Sequence, residues 1–250
     1  MRAIIIGAGR GSRLMPITEN APKCFAEIQG KRILDWTVEA LKGGGCTEIC
    51  FIGGYRIDSV RRQYPEFAFR ENKQWQDNNI LVSLMHAADL MDEPFVTAYS
   101  DILFTKEVVH GLVRSKDELS LGIDTDWREH YKPRTQHPPH DAEKVITRNG
   151  RVERVYRTIP YDDATGEFIG VAKFGKNGAR QFRDFYARRK AEFWGKPYRE
   201  AATFEKAYLI HMFQDMIEQG YAFGHVDTPG KYREIDTQED MNLAQTLWKP

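Results

Sequence analysis

Three glycines alternate with other residues at the start of GAGRGSRLMPITENAPKC, residues 7 to 24, directly behind the apolar run AIII. Gly7, Gly9 and Gly11 carry no Cβ, so backbone N–H groups can approach an anion closely, and Arg10, Arg13 and Lys23 bring positive charge to the same stretch. These residue types read as a phosphate cradle. The Walker A pattern GxxxxGK[ST] does not fit, because no Lys-Ser or Lys-Thr stands at the required spacing. A dinucleotide fingerprint fits poorly as well, since its helix begins at once, whereas Pro16 and the turn-forming ENAP keep this segment a loop. Two acids complete the pattern: Asp101 in YSDILF and Asp236 in YREIDTQED each stand where an apolar, strand-like segment gives out. A single strand-end Asp reads equally well as a helix cap, but two such carboxylates converging on one site could hold Mg²⁺ against phosphate oxygens.

These residues need a scaffold that gathers them. AIIIGAG is all apolar and ends in glycine, as a strand covered on both faces does. KRILDWTVEALKGG has helical apolar spacing, EICFIGGY reads as a second strand, RIDSVRRQY as a helix and EFAFR as a weak strand. NNILVSLMHAADL follows as a helix capped by Asn, and PFVTAYSD as another strand. The alternation to about residue 115 predicts an α/β fold, a Rossmann-like, mostly parallel sheet with helices on both faces. Ligands of such sheets lie beyond the carboxyl ends of the strands, which groups Gly7 to Arg13, Gly53 to Arg56 and Ser100 to Asp101 at one edge.

The pattern then loosens. LSLGIDTDW reads as a strand, Trp127 to Asp141 as irregular, and VITRNGRVERVYRT as a hairpin around Asn149-Gly150. GEFIGVAKF is a further strand, with helical patterns at about 177 to 191 and 203 to 219. The chain closes on a strand, a loop and a helix in which Thr237 and Asp240 have capping-box spacing. With no repeat and no linker, residues 1–250 read as a single domain in which about 126–200 form an acceptor-binding insertion or lid over the sheet edge.

Composition narrows the partners. Lys plus Arg and Asp plus Glu both total 36, so there is no general positive field for nucleic acid. No apolar stretch approaches the roughly 20 residues of a membrane helix, and with a strand beginning within three residues neither export nor membrane insertion is expected. Cys24, Cys46 and Cys50 have no disulfide-framework spacing, so the expected location is the cytoplasm. Small molecules are the expected partners; an oligomer is open.

MRAIIIGAGRGSRLMPITENAPKC resembles the opening of the nucleotidyltransferases that activate sugar phosphates, phosphocholine and phosphonates with a nucleoside triphosphate. GGY, NNILVSL, YSDILF, DAEKV, FIGVAKF and EIDTQED follow in that family's order, so the resemblance covers nearly the whole chain. PKC and DAEKV look more like the phosphocholine, phosphonate and phosphoglutamine cytidylyltransferases than the longer sugar enzymes. The resemblance implies that Gly7, Ala8, Gly9, Gly11, Ser12 and Arg13 hold the triphosphate, with Arg13 and Lys23 as the catalytic cations and Asp101 and Asp236 as Mg²⁺ ligands. It places Gly53, Gly54, Tyr55, Asn79 and Ser83 near the base and ribose. Where relatives carry lysine after the hairpin strand this chain reads ERVYRT, so Arg157 stands in that position with a planar fork instead of a point charge.

The acceptor is expected against Trp127, Tyr131, Asp141, Glu143 and Arg157, with its organic part met by the segment Trp127 to Glu143 and the helical stretch QFRDFYARRKAEFWGKPYRE and its phosphate by Arg157. Trp127, Tyr131, Tyr186 and Trp194 suit an aromatic cage for an ammonium, with Asp126, Asp141 and Glu143 as anionic partners, although Phe182, Phe185 and Tyr186 also have the spacing of a helix core. His130, His137 and His140 make an unconvincing zinc set among prolines 133, 138 and 139 and read better as loop histidines near an anionic acceptor. The expected reaction is CMP transfer from CTP to a small phosphate or phosphonate, such as phosphocholine or 2-aminoethylphosphonate, with pyrophosphate released and Mg²⁺ as cofactor. The choice of CTP rests on the resemblance alone. Uridylyl or thymidylyl transfer to a hexose 1-phosphate is the alternative reaction, and a non-catalytic nucleotide-binding domain the alternative class. An NAD-dependent oxidoreductase is disfavoured, because FIGGY lacks the acid that would end the second strand and hold the ribose.

Overall fold

The computed structural model describes residues 1–250. Its first strand, Arg2–Gly7, sits inside a nine-stranded sheet, parallel to Glu48–Gly53 on one side and to Phe95–Tyr99 on the other. Ala68–Glu71 extends the parallel half beyond Glu48–Gly53. The other half turns antiparallel at Gly166–Phe174, which pairs with Phe95–Tyr99, Leu119–Asp124 and Lys144–Arg148. Arg151–Val155 and Gly224–Asp227 complete this half, giving a mixed sheet flanked by helices.

The apolar run of the first strand serves two cores. Ile4 and Ile6 pack on one face with Leu81, Phe182 and Phe213, while Ala3 and Ile5 pack on the other with Leu34, Leu41, Val109 and Leu112. Successive side chains of a strand point to opposite faces, so a strand covered twice must be apolar at every position. Helix Ile33–Gly43 lies on one face and helices Lys176–Phe193 and Leu209–Glu218 on the other.

Local details refine the expected elements. The helix expected over 80–90 is a short α-helix, Ile80–Leu84, that tightens into a 3-10 segment, Met85–Leu90, with non-helical backbone at Ala87. The stretch expected to be irregular contains a short helix, Trp127–Tyr131. The helix expected from about 203 begins at Leu209, behind a 3-10 turn at Phe204–Lys206. The hairpin turns at Asn149 and Gly150, both with positive φ, as a tight two-residue turn requires. Thr237 and Asp240 close the expected capping box on helix Gln238–Leu247.

The segment 126–200 is built into both the sheet and the core. Its strand Gly166–Phe174 bonds directly to Phe95–Tyr99, and its helix Lys176–Phe193 builds the core beneath the sheet. The strand's register breaks between Phe168 and Ala172, a bulge of the kind found beside functional sites, and residues 168 to 170 there line the molecule's large cavity. All three cysteines are free and buried, and no helix is long and apolar enough to cross a membrane.

Candidate active site

A cavity of about 500 Å³ opens at the carboxyl end of the first strand. The glycine loop, from Gly7 to Arg13, forms one wall, with Trp75, Asn78, Asn79 and Ser83 beside it. Asp101, Asp236 and Lys23 lie at the cavity's lining, as do Asp141, Glu143, Arg157, Glu167 and Tyr208 from the second half of the chain.

The loop's glycines have distinct jobs. Gly11 has φ 68°, the left-handed region, and a Cβ there would lie 2.7 Å from Cδ of Lys23. Its absence lets the lysine stem run past the loop. At Gly9 a Cβ would meet nothing within 4 Å, so the loop backbone there faces open space that a ligand can fill. Thr18 ties the loop by donating its hydroxyl to the Gly11 carbonyl at 2.9 Å.

Lys23 sits in a 3-10 turn, Lys23–Phe25, behind Pro22, and is buried. Its Nζ donates to Asp101 Oδ2 at 2.7 Å and also bonds to Asp236 Oδ1. Arg13 Nη2 donates to the other oxygen of Asp236 at 2.5 Å. Burial alone would lower the pKa of the Lys23 ammonium, but Asp101 and Asp236 outweigh it and hold the group above the ordinary lysine value. Burial likewise opposes ionisation of Asp236, and Lys23 and Arg13 reverse that, holding the carboxyl below its usual range. The result is a compact knot of ion pairs joining residues 13, 23, 101 and 236.

A second cluster adjoins it. His137 Nδ1 lies 3.8 Å from Asp236 Oδ2 and its Nε2 lies 3.5 Å from Glu234 Oε2. One donor atom from each of His137, Glu234 and Asp236 falls within 4.8 Å of the others, a group able to hold a divalent metal. Glu234 is pushed up to about 7 by burial and by the neighbouring Asp236.

On the part of the lining that comes from the chain's second half, Glu143 is buried between Tyr99, whose hydroxyl donates to it at 3.2 Å, and Arg157, whose Nη2 donates at 3.4 Å. Burial raises the Glu143 carboxyl despite these partners. The Arg157 guanidinium also lies over the Tyr208 ring, 4.0 Å from its centroid. A lysine lacks the planar guanidinium that lies over this ring while one of its nitrogens reaches Glu143.

Of the residues expected at the site, Gly7, Ala8, Gly9, Gly11, Ser12, Arg13, Lys23, Asn79, Ser83, Asp101, Asp141, Glu143, Arg157 and Asp236 come together at this cavity. Gly53, Gly54 and Tyr55 do not line it: Tyr55 N–H donates to the Ala8 carbonyl at 2.9 Å, and Gly54 packs against Ala8 and Trp75. They support the wall from behind. Asn79 caps its helix by accepting from Ile80 N–H at 2.8 Å, and Ser83 accepts from Asn72 at 2.9 Å.

Trp127 and Tyr131, expected against the acceptor, do not line the cavity either. Trp127 is fully buried in a small apolar cluster with Tyr131, Ala142, Ile159 and Ala164, so its ring packs the region behind the site. The Tyr131 hydroxyl donates to Glu167 at 2.7 Å and thus reaches the cavity only through that carboxyl. The aromatic cage dissolves in the same way, since Tyr186 belongs to the main core and Trp194 is exposed near the end of its helix.

Trp75, Asn78, Glu167, Tyr208 and Glu234 line the cavity without having been expected there. Glu234 had a readable signal, because it stands two residues before Asp236 at the end of strand Tyr232–Glu234, on a period that returns to one face. Trp75 and Tyr208 had none, as each lies in a connection whose path only the packed chain defines.

With this geometry in hand, the chain's relatives can be compared. It is 30% identical over 253 residues to the CTP:phosphoglutamine cytidylyltransferase of Campylobacter jejuni, covering 97% of this chain and 98% of that enzyme. It is 32% identical over 119 residues to the choline-phosphate cytidylyltransferase of Streptococcus pneumoniae, covering 46% of this chain and 51% of that enzyme. Among solved structures, the inositol-1-phosphate CTP transferase from T. maritima superposes with a TM-score of 0.74 at 21% identity, covering 98% of this chain and 95% of that one, a likeness of fold. Residues 3–131, which include the glycine loop, Lys23 and Asp101, match the family described as the MobA-like NTP transferase domain. On that match and the full-length similarity, the chain belongs to this nucleotidyltransferase-like family.

Proposed function

We propose that the chain transfers CMP from CTP to a small phosphate or phosphonate acceptor, releasing pyrophosphate. The observation that carries this reading is the knot in which Lys23 bonds to both Asp101 and Asp236 at the edge of a cavity walled by the Gly7–Arg13 loop. The preference for CTP is supported by the full-length similarity to a cytidylyltransferase.

In this reading the triphosphate lies along the glycine loop, with its α-phosphorus near Lys23. The acceptor oxygen is already ionised near neutral pH, so no general base is needed, and the chain's task is to bring two anions together and offset the charge that develops. Lys23 and Arg13 supply that offset. Both are pre-positioned by carboxylates, so they need little reorganisation when phosphate oxygens arrive. Residues of the 126–200 segment, Asp141, Glu143 and Arg157 among them, receive the acceptor.

The carboxylates also fit a divalent cation. Asp101 and Asp236 both face the Lys23 ammonium, so positive charge already stands between two hard oxygen donors, the ligand type Mg²⁺ prefers. Asp101 and Asp236 are the proposed ligands, with Glu234 and His137 next to them. A bound Mg²⁺ would neutralise phosphate charge there.

The test is a matrix of CTP, UTP, ATP and GTP against phosphocholine, 2-aminoethylphosphonate, other phosphonates, phosphoglutamine and hexose 1-phosphates, read by pyrophosphate release and product mass with Mg²⁺ present and removed. CTP-dependent products with phosphate or phosphonate acceptors are expected. Turnover confined to UTP with hexose 1-phosphates would replace this reading with the sugar one. Nucleotide binding without pyrophosphate release in any combination would leave a binding domain.

A further inference from the structure

The cavity's charges are unevenly partnered. Its lining holds three Lys or Arg residues, Arg13, Lys23 and Arg157, and all three are bonded to carboxylates. Among the lining carboxylates, Asp101 and Asp236 share Lys23, Glu143 has Arg157, Glu234 has Arg134 at 3.6 Å and His137, and Asp141 has His140 at 3.4 Å. Glu167 has no cationic group within ion-pair distance, although it is only 3% exposed. Its Oε1 accepts from the Tyr131 hydroxyl and its Oε2 has no hydrogen-bond partner. Lys144, its neighbour in the sheet register, directs its ammonium to the carbonyls of Pro139 and His140 at 3.3 Å.

A buried carboxyl oxygen without a partner is costly unless a ligand completes it. The position of Glu167 decides what could do so. It stands next to the strand's bulge and lines the same cavity as Glu143, whose partner is Arg157, while Lys23 and Arg13 meet at Asp236. Tyr99, Tyr208 and Tyr232 line the same cavity, so the surroundings offer anionic and aromatic faces together. That combination favours a positively charged ligand group and disfavours a sugar hydroxyl face or a second anion. Burial and the nearby Glu234 push Glu167 up to about 8, and a cationic partner would lower it again.

We infer that Glu167 is a specificity-determining residue that receives a cationic ammonium group on the acceptor, so that this chain prefers zwitterionic acceptors, phosphate or phosphonate at one end and ammonium at the other. The inference rests on the transfer reaction proposed above and adds the acceptor's second charge to it. Glu167 touches the acceptor far from the bond that forms, so its removal acts on acceptor recognition.

The experiment separates the two claims. Binding of 2-aminoethylphosphonate and of ethylphosphonate, which differ by the ammonium-bearing substituent, is measured by calorimetry in the presence of Mg²⁺ and α,β-methylene-CTP, for the unaltered chain and for Glu167→Gln. The expected result is that the aminated ligand binds roughly tenfold to a hundredfold tighter in the unaltered chain and that this gap closes in the variant. The variant keeps an oxygen for the Tyr131 hydroxyl, so its melting temperature should hold or rise. A readout that a merely structural role would not move is the acceptor KM: it should rise for the aminated ligand alone, with kcat and the CTP KM near their original values. Equal affinities for the two ligands in the unaltered chain, no binding of either, or a gap that survives Glu167→Gln would each overturn the subsite. Pyrophosphate release is followed in parallel with CTP and both phosphonates. Transfer without discrimination removes the subsite and leaves the reaction standing, whereas absence of transfer to any acceptor of the wider panel removes the reaction.

Discussion

Lys23 and Asp101, 78 positions apart in the chain, are joined by a 2.7 Å bond from Nζ to Oδ2, and the same ammonium holds Asp236 from the chain's far end. One buried charge thus ties together the loop after the first strand, the end of the strand Phe95–Tyr99 and the approach to the last helix. Sharing a cation keeps two carboxylates close that would otherwise repel each other.

Replacing that charge while keeping the stem tests its role. Lys23→Met retains packing beside Gly11 but removes the ammonium, and kcat should fall by about a hundredfold or more, the loss of about 3 kcal/mol of transition-state stabilisation. Circular dichroism should report an unchanged fold. A near-normal kcat would take Lys23 off the list of catalytic groups.

The carboxylates are tested by neutral isosteres. Asp101→Asn and Asp236→Asn should each raise the Mg²⁺ concentration for half-maximal turnover by about tenfold or more. Calorimetric titration with Mn²⁺ in the presence of nucleotide should show the same weakening. An unaltered metal requirement in both variants would move the proposed ligand set away from these residues.

The two loop glycines predict opposite phenotypes for one added methyl group. Gly11→Ala forces a left-handed backbone on alanine and collides with the Lys23 stem, so stability should drop by about 1–2 kcal/mol and kcat should fall with it. Gly9→Ala meets no protein atom, so its unfolding midpoint should stay within about 0.5 kcal/mol of the original. Its nucleotide KM should nevertheless rise several-fold. Similar stability losses in both variants, from denaturant titrations, would contradict this division of labour.

His211 gives the molecule an acid-sensitive joint. It lies in the first turn of helix Leu209–Glu218, where its Nδ1 accepts from Tyr208 N–H at 3.1 Å. Burial pushes its pKa down to about 4, against the partial opposition of Glu200. Between pH 4 and about 6.5 the unfolded chain therefore binds a proton that the folded one refuses, so stability present above pH 6.5 is lost as pH falls towards 4. The loss from this group is about 3 kcal/mol at its limit. His211→Asn, which keeps an acceptor near the Nδ1 position, should show a shallower decline in urea-unfolding free energy between pH 7 and 4.5. Parallel declines would show that other groups control the acid limb.

Much of the scaffold could be read from local pattern. The all-apolar AIII specifies a doubly covered strand because both of its faces meet helices. Asn149-Gly150 specifies its turn, and Thr237 with Asp240 specifies a helix start through hydrogen bonds spanning three residues. Where the pattern was ambiguous, packing chose. The apolar stretch after Asn79 has helical spacing throughout, yet the chain breaks at Ala87. Aromatic residues were the hardest to assign, since Trp127 looks the same in a sequence whether it cages a ligand or fills a small core.

By itself the sequence determined the kinds of chemistry available: glycines where a backbone must approach an anion, cations beside them, and acids at the ends of apolar strands. Those choices depend on a residue's own side chain and its near neighbours, which is why they are visible one segment at a time. Tertiary structure alone decided which charges neutralise one another. Lys23 could have met either acid or neither, and it meets both, whereas Lys144, set opposite Glu167 by the sheet register, turns its ammonium to the carbonyls of Pro139 and His140. Charge pairing acts through space over a few ångströms, so its outcome depends on distances that separation along the chain does not encode.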